Sequence, residues 1–402
     1  GNEPEPNDVH LGLMENHHLA SALSGLAEKY NLINRIILSK KTSKYGIYQV
    51  NLWINGLPKT VIIDDLFPCI PMNNPIVTRS PSNEIWVLII EKALAKVIGN
   101  YSSLIFLSII EILLMLTGCP TFFYDINELI KEDDYSPLLD KLKTFVQDKK
   151  YLTMAIMNKN EEVDEENDNS VVIPSFGYAI LGIYNINNVY LIKLRKVWYN
   201  EIKEKKMRDY QEKIAQNFPQ LTDEISSSEV FLTFEDFVSE FHVLTVCYTR
   251  NWEEIRLKGR FLISKENSQS FYEYCISENF YYLKVQSKTN IIISLFQDED
   301  FFKAADSIKP IMDISLSVLK YNNLTGEISH FQSIDFSHAQ SLQQELILEA
   351  GQYIILPRSS GCFLYNKTEN QKNFIYNIIS PTTYPNINIK KINIINIINK
   401  KN

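Results

Sequence analysis

Two adjacent histidines, His17 and His18, open the helical run of "ENHHLASALSGLA" at residues 15–27. An imidazole exchanges a proton near neutral pH and ligates metals through either nitrogen, so the pair raises acid–base or metal chemistry. A metal site would need further ligands, and His10, Asp8 and Glu15 are near in sequence. Adjacent helical positions diverge by ~100°, however, which makes joint ligation awkward. Thiol chemistry is the other candidate. Cys69, Cys119, Cys247, Cys275 and Cys362 are odd in number, far apart and without a CxxC pair. They indicate neither a zinc ribbon nor a disulfide framework, and they suit a reducing compartment. Cys69 follows Pro68 at a strand end, Cys119 sits in "TGCP" and Cys247 lies in an apolar run, so each reads as a packed small hydrophobe.

The elements that must position these residues follow from patterning. The 402 residues suit two or three domains, and 45% hydrophobic with 22% charged content is globular. A net charge of −8 lacks the basic excess of a nucleic-acid binder, and "KLRK" (193–196) and "KEKKMR" (203–208) read as solvated helix faces. No signal-peptide pattern opens the chain. The longest apolar run, "SSLIFLSIIEILLMLTG", carries Glu111 and falls short of the ~20 residues a membrane span needs, so it predicts a buried helix. A soluble, intracellular protein is expected.

Residues 18–38 predict one helix. "YQVNLWI" and "KTVIID" flank "NG", a strong hairpin signal, and "EIWVLIIEKALAKVI" predicts a helix capped by Gly99. The acidic stretch "EEVDEENDNS" (161–170) predicts a surface loop, and "SFGYAILGIY" and "NVYLIKLRKVW" predict strands about "NINN". Residues 200–228 read as helical or irregular, and "VFLTFEDFVSEFHVLTVCYT" as strand, short helix, strand. Beyond Trp252 nearly everything reads as short strands, the pattern of a β-sandwich. The Asn/Ile/Lys-rich "NINIKKINIINIINKKN" is low complexity, either an edge strand or unstructured.

In order and spacing, "NLWINGLPKTVIIDDLFP", "NEIWVLIIEKALAKVIGNYSSL", "LIKLRKVW" and "VFLTFEDFVSEF" resemble the calpain family of papain-like cysteine proteases. The later "GQYIILPRSSG" is similar to the closing strand of the family's β-sandwich, so the resemblance covers about residues 1–365. It implies an α+β fold: a papain-like two-lobed calpain protease core followed by an antiparallel calpain-type β-sandwich. The implied boundaries are 1–120 for the helical lobe, 121–250 for the β-rich lobe, 251–368 for the sandwich and 369–402 for the low-complexity tail.

Such a protease uses a thiolate nucleophile at a helix N-terminus, a histidine base, an asparagine that orients the imidazole, and a glutamine for the oxyanion. The family run "Q-G-x-L-G-D-C-W", laid on "LGLMENHH", puts Leu11 at the glutamine, His17 at the nucleophile and His18 at the tryptophan. The family's "G-H-A-Y-S-I-L" falls on Ser175 to Leu181, with Phe176 at the base, and "L-R-N-P-W-G" falls on Leu194 to Tyr199, with Lys196 at the asparagine and Trp198 retained. Phenylalanine moves no proton, and leucine offers no oxyanion donor. Calcium is the family cofactor; the register offers Asp8 and Glu84 for a first carboxylate loop and Glu229 for a second, whose neighbouring acid falls on Ser227. No EF-hand loop is present.

The expected protein is therefore a catalytically inactive calpain-like scaffold without catalytic residues or a required cofactor. Its partners would be proteins in a larger assembly, not nucleic acid, membrane or a small-molecule substrate. Calpain-like domains lacking a catalytic set also resemble those of large ciliary and cytoskeletal proteins, including the androglobins, which implies a cytoplasmic place in an axoneme or cytoskeletal assembly. Two alternatives stand beside it. One is a divergent, active calcium-dependent cysteine endopeptidase. The other is a pseudoprotease that holds peptide segments in its old cleft against Trp198, Tyr178 and Phe176, residues that otherwise read as lobe-packing aromatics.

Overall fold

A computed structural model describes the chain except for residues 1–2, 72–73, 83, 131–133, 158–169, 174–175, 199, 250–252, 264–274, 298–311, 360–370, 381–386 and 394–402. Its contacts divide it into two units, Gly1–Trp53 with Pro58–Arg250, and Ile54–Leu57 with Asn251–Asn402.

The first unit is organised about helix α1 (His17–Ala27), in which every residue from Leu19 onward is buried. A helix apolar on all sides has no wet face and belongs inside. Periodicity predicts that it runs on to residue 38, but it ends at Ala27 and α2 (Tyr30–Ile36) follows. Between them Lys29 leaves the helical region, at φ −129° and ψ 66°. Its ammonium donates to the Tyr151 carbonyl at 2.6 Å and the Thr249 hydroxyl at 3.2 Å, so a side chain anchored elsewhere in the unit fixes the break.

Strands β1 (Ile47–Ile54) and β2 (Leu57–Asp64) form the predicted hairpin. Asn55 (φ 49°) and Gly56 (φ 77°) supply the positive dihedrals that a tight two-residue turn requires. A short ladder of β3 (Cys69–Ile70) and β4 (Asn74–Pro75) precedes α3 (Trp86–Ile98), which ends where the Gly99 N–H bonds the Ala95 carbonyl at 2.8 Å. The long apolar run is not one helix. Ser108 takes extended dihedrals and caps α4 (Ile109–Thr117) reciprocally with Glu111, leaving Ser102–Phe106 as a separate 3-10 turn. Among the described residues, no helix is long and apolar enough to cross a membrane.

The rest of the unit is a sheet with flanking helices. In chain order come β5 (Thr121–Asp125), α5 (Ile126–Leu129), α6 (Ser136–Gln147), β6 (Tyr151–Ile156), β7 (Gly177–Ile186) and β8 (Val189–Arg195). They are followed by α7 (Glu201–Asn217), β9 (Glu229–Thr233), α8 (Phe234–Glu240) and β10 (Val243–Tyr248). The strands pair antiparallel in the order β5-β10-β6-β7-β8-β9. Asn187 and Asn188 make the β7–β8 turn with positive φ. The acidic stretch falls mostly outside the described residues, at 161–169.

The basic run "KLRK" is not a solvated helix face. It closes β8, where Arg195 and the following Lys196 are buried. Lys203, at the start of "KEKKMR", is buried too and donates to the Ser170 carbonyl at 2.7 Å. Charge counting alone misses these because it carries no information about which cations find a partner inside.

The second unit is a sandwich of antiparallel strands: β11 (Glu253–Ile263), β12 (Cys275–Ser277), β13 (Asn279–Val285), β14 (Thr289–Gln297), β15 (Ile314–Tyr321), β16 (Ile328–Ser337), β17 (Ser341–Leu348), β18 (Gly351–Arg358), β19 (Gln371–Ser380) and β20 (Ile387–Asn393). One sheet runs β12-β11-β19-β14-β17 and the other β16-β15-β18-β13-β20. Alternate residues fill the core, among them Tyr281, Leu283 and Val285, then Ile291, Ile293 and Leu295, then Ile314, Leu316 and Val318. The expected tail boundary at 368 is not a boundary of this sandwich. β19 pairs with β11 and β14 inside one sheet, and β20 pairs with β13 at the rim of the other. Strand pairing is made by backbone groups, so a biased composition rich in β-branched Ile does not prevent it.

Candidate functional site

The chain enters α1 along a strap held on residues 76–79. His10 and Arg79 exchange backbone hydrogen bonds at 2.8 and 2.9 Å, and the Met14 N–H donates to the Ile76 carbonyl at 3.0 Å. Gly12 permits this approach, since a Cβ there would lie 2.1 Å from the Val77 carbonyl oxygen. Leu11, half-buried on the strap, offers only methyl groups. Glu15, at φ 50°, turns the chain into the helix. Asn16 sends its side chain not to the helix end but to Glu91 in α3, a carboxylate with no solvent exposure that also accepts the Thr78 N–H at 2.7 Å. Burial raises Glu91 to about 7, although these hydrogen bonds oppose it.

This entry delivers His17 against Phe176, just before β7, with ring centroids 4.3 Å apart and planes inclined by 25°. Burial holds the His17 imidazole below its usual range, against the pull of the Glu15 carboxylate, which leaves a neutral ring on a phenyl face. Ser21 pins the two elements together: its hydroxyl donates to the His17 carbonyl at 2.8 Å and accepts the Gly177 N–H at 3.0 Å. His18 points elsewhere, donating from Nδ1 to the Leu107 carbonyl at 2.8 Å. The adjacent imidazoles diverge as helical geometry requires. Among the described residues, no three His, Cys, Asp or Glu side chains converge as metal ligands.

Lys196 joins a different cluster. Its buried ammonium pairs with Glu204 at 2.7 Å and lies 4.6 Å from the centre of the Trp198 ring. The Trp198 indole N–H donates to the Tyr178 hydroxyl at 2.5 Å, and that hydroxyl also accepts the Ile173 N–H at 2.7 Å. Tyr178 stacks edge-on with Phe241, 5.3 Å between centroids. Trp198, Tyr178 and Phe176 are all buried. The structure therefore brings His17 and Phe176 together, and Trp198 with Tyr178 and Lys196, but places Ser175 and Tyr199 outside the described residues.

Residues 2–248 match the family described as calpain family cysteine protease. The chain belongs to the calpain family. It is similar to the calpain-type cysteine protease DEK1 of Arabidopsis thaliana, 26% identical over 258 residues, which are 61% of this chain and 12% of that protein. Against Calpain-5 of Caenorhabditis elegans the identity is 27% over 192 residues, 45% of this chain and 30% of the relative. Against the Calpain-1 catalytic subunit of Mus musculus it is 26% over 278 residues, 66% of this chain and 37% of the relative. The chain thus spans well under half the length of these relatives.

Whether a calpain's calcium suits this core depends on the free lone pairs of the candidate carboxylates. Asp8 is filled by protein donors: the Glu5 N–H at 2.8 Å, Trp86 Nε1 at 3.1 Å and the Ser82 hydroxyl at 2.7 Å. Burial pushes its carboxyl up, yet these bonds together hold it below the usual range. Glu84 is raised by burial and by the Asp8 charge, with which it shares a hydrogen bond. Glu229 is claimed by cations, Lys193 at 2.8 Å and Arg195 at 2.5 Å. A Ca²⁺ ion needs six to eight oxygen lone pairs aimed inward, and donors or ammonium groups aimed at the same oxygens displace it. The residues present do not fit the ion.

Arg195 is the structural tie beside the site that sequence reasoning passed over. Besides Glu229 it pairs with Glu28, at the end of α1, at 2.6 Å, and donates to Asn7 and Ser228 at 3.2 and 3.0 Å. It ties α1 to β8 and β9 through one guanidinium. The available signal was a cation closing a mostly apolar strand, where only a paired charge persists when buried.

Proposed function

We propose that this calpain-family chain is catalytically inactive and works as a protein-binding scaffold. The His17–Phe176 stack at 4.3 Å carries the reading. The positions that the resemblance equates with nucleophile and base do face each other, but they hold an imidazole and a phenyl ring. No thiolate forms from the first, and no proton moves through the second. The described thiols lie elsewhere: Cys69 exposed at the start of β3, Cys119 and Cys247 buried, none at a helix N-terminus where the dipole would activate it. Purified chain is expected to leave casein intact in millimolar calcium. Hydrolysis that a thiol-reactive inhibitor abolishes would sink the reading.

The burial of Trp198, Tyr178 and Phe176 favours a scaffold over a peptide-holding cleft, because these rings have no open face to offer. A peptide array on which binding disappears with Trp198→Ala, the fold being intact, would reverse that preference. The assembly we favour is cytoskeletal or axonemal, an inference by analogy from inactive calpain-like domains in ciliary proteins. Immunolocalisation away from cilium and cytoskeleton removes it.

A further inference from the structure

Cys119 and Cys247 are remote in sequence and meet in the fold. Cys119 follows Gly118, whose left-handed backbone (φ 64°) ends α4. Cys247 lies in β10 opposite Thr121 of β5, and the pairing continues past the strand end, since the Tyr248 N–H donates to the Pro120 carbonyl at 2.8 Å. This turn sets the two thiols side by side, hydrogen-bonded to each other. Thr117 touches both: its hydroxyl lies 3.7 Å from Cys247 Sγ and accepts the Cys119 N–H at 3.0 Å, while its carbonyl oxygen lies 3.6 Å from Cys119 Sγ. Both cysteines are free and buried.

We propose that Cys119 and Cys247 form a dithiol site that hydroperoxides oxidise to an intramolecular disulfide between the end of α4 and β10. The proton sits unequally in the pair. The hydrogen bond from Cys119 outweighs burial and, helped by Thr121, Thr117 and the Lys29 charge, holds Cys247 below its usual range. The same bond, with burial, pushes Cys119 well above its own. On that polarisation Cys247 is assigned the attacking role, and because its sulfur is fully buried, peroxide reaches it only when β10 opens locally. Its thiolate takes the terminal oxygen of hydrogen peroxide; the O–O bond breaks, the departing hydroxide takes up the thiol proton, and water and a sulfenic acid result. Cys119 then attacks the sulfenic sulfur, and the hydroxide expelled leaves with the Cys119 proton as a second water. Two thiols and one peroxide give one disulfide and two waters, a balanced two-electron step.

The test uses the full chain under native conditions, treated with stoichiometric hydrogen peroxide, quenched with N-ethylmaleimide and digested with trypsin without reductant. Tryptic peptides 97–131 and 214–250 each carry one cysteine. The expected product joins them at two hydrogens below the summed mass, vanishes on reduction, and is lost in Cys119→Ser and Cys247→Ser. Cys119→Ser is expected to leave a sulfenic acid on Cys247 that dimedone traps. Recovery of both peptides alkylated while the exposed Cys69 is oxidised overturns the proposal. So does sulfinic acid on either thiol without the cross-link. The wild-type result decides by itself if either variant fails to fold.

Discussion

Replacing Glu91 with Gln is expected to remove part of the pH dependence of folding. The carboxyl has no exposure and rises from 4.5 to about 7 by burial, so the folded chain holds its proton more tightly than the unfolded chain does. A group raised in this way contributes its stability fully below about pH 4.5 and loses it as pH climbs through about 7. The interval corresponds to about 3 kcal/mol at 1.36 kcal/mol per pH unit. The protonated form has somewhere to donate: Asn16 Oδ1 is buried beside it without a partner among the described residues. Glutamine keeps the shape and never ionises. Urea unfolding of both proteins from pH 4.5 to 8 should show the wild-type advantage shrinking by about 3 kcal/mol. The difference between the two curves cancels every other titrating group. Parallel curves would refute the buried-carboxyl argument. An advantage that grows with pH would mean that the fold prefers the carboxylate.

Three further outcomes follow from particular contacts. Gly177→Ala places a Cβ 2.4 Å from Ile109 Cδ1, and a loss of about 1–3 kcal/mol in urea unfolding is expected from the overpacking. Tyr178→Phe strands the Trp198 and Ile173 N–H groups in a buried place, lowering stability by about 2–3 kcal/mol in the same assay. Millimolar calcium should move the melting temperature by less than about 1 °C, because ligand binding that favours the fold must raise it. A rise of several degrees would show that Asp8 or Glu229 gives up its protein donors to the ion.

Much of the architecture was legible where a local rule has few exceptions. The Asn55-Gly56 turn, the Gly99 cap and the β9–α8–β10 succession needed only turn chemistry and periodicity. The break between α1 and α2 was not legible, because Lys29 leaves the helix for partners more than a hundred residues away. Distance in sequence hid the site as well. Cys119 and Cys247 read as unrelated thiols, and Arg195 of "KLRK" as solvated, since the partner thiol and the carboxylates of Glu28 and Glu229 lie far outside a sequence window. His17 and Phe176 could be aligned to one another only through the resemblance to calpains. Their contact depends on Ser21 joining α1 to β7.

The place of β19 imposes an order on synthesis. Residues Gln371–Ser380 enter between β11 and β14, strands made more than seventy residues earlier. Until that segment leaves the ribosome, β11 with β12 and β14 with β17 can exist only as separate hairpin-sized fragments, each with an unpaired edge. The sandwich therefore closes late, after translation has nearly passed it. A premature stop after Arg250 and before residue 371 would release a chain whose first unit has all its strands and whose second cannot join its halves.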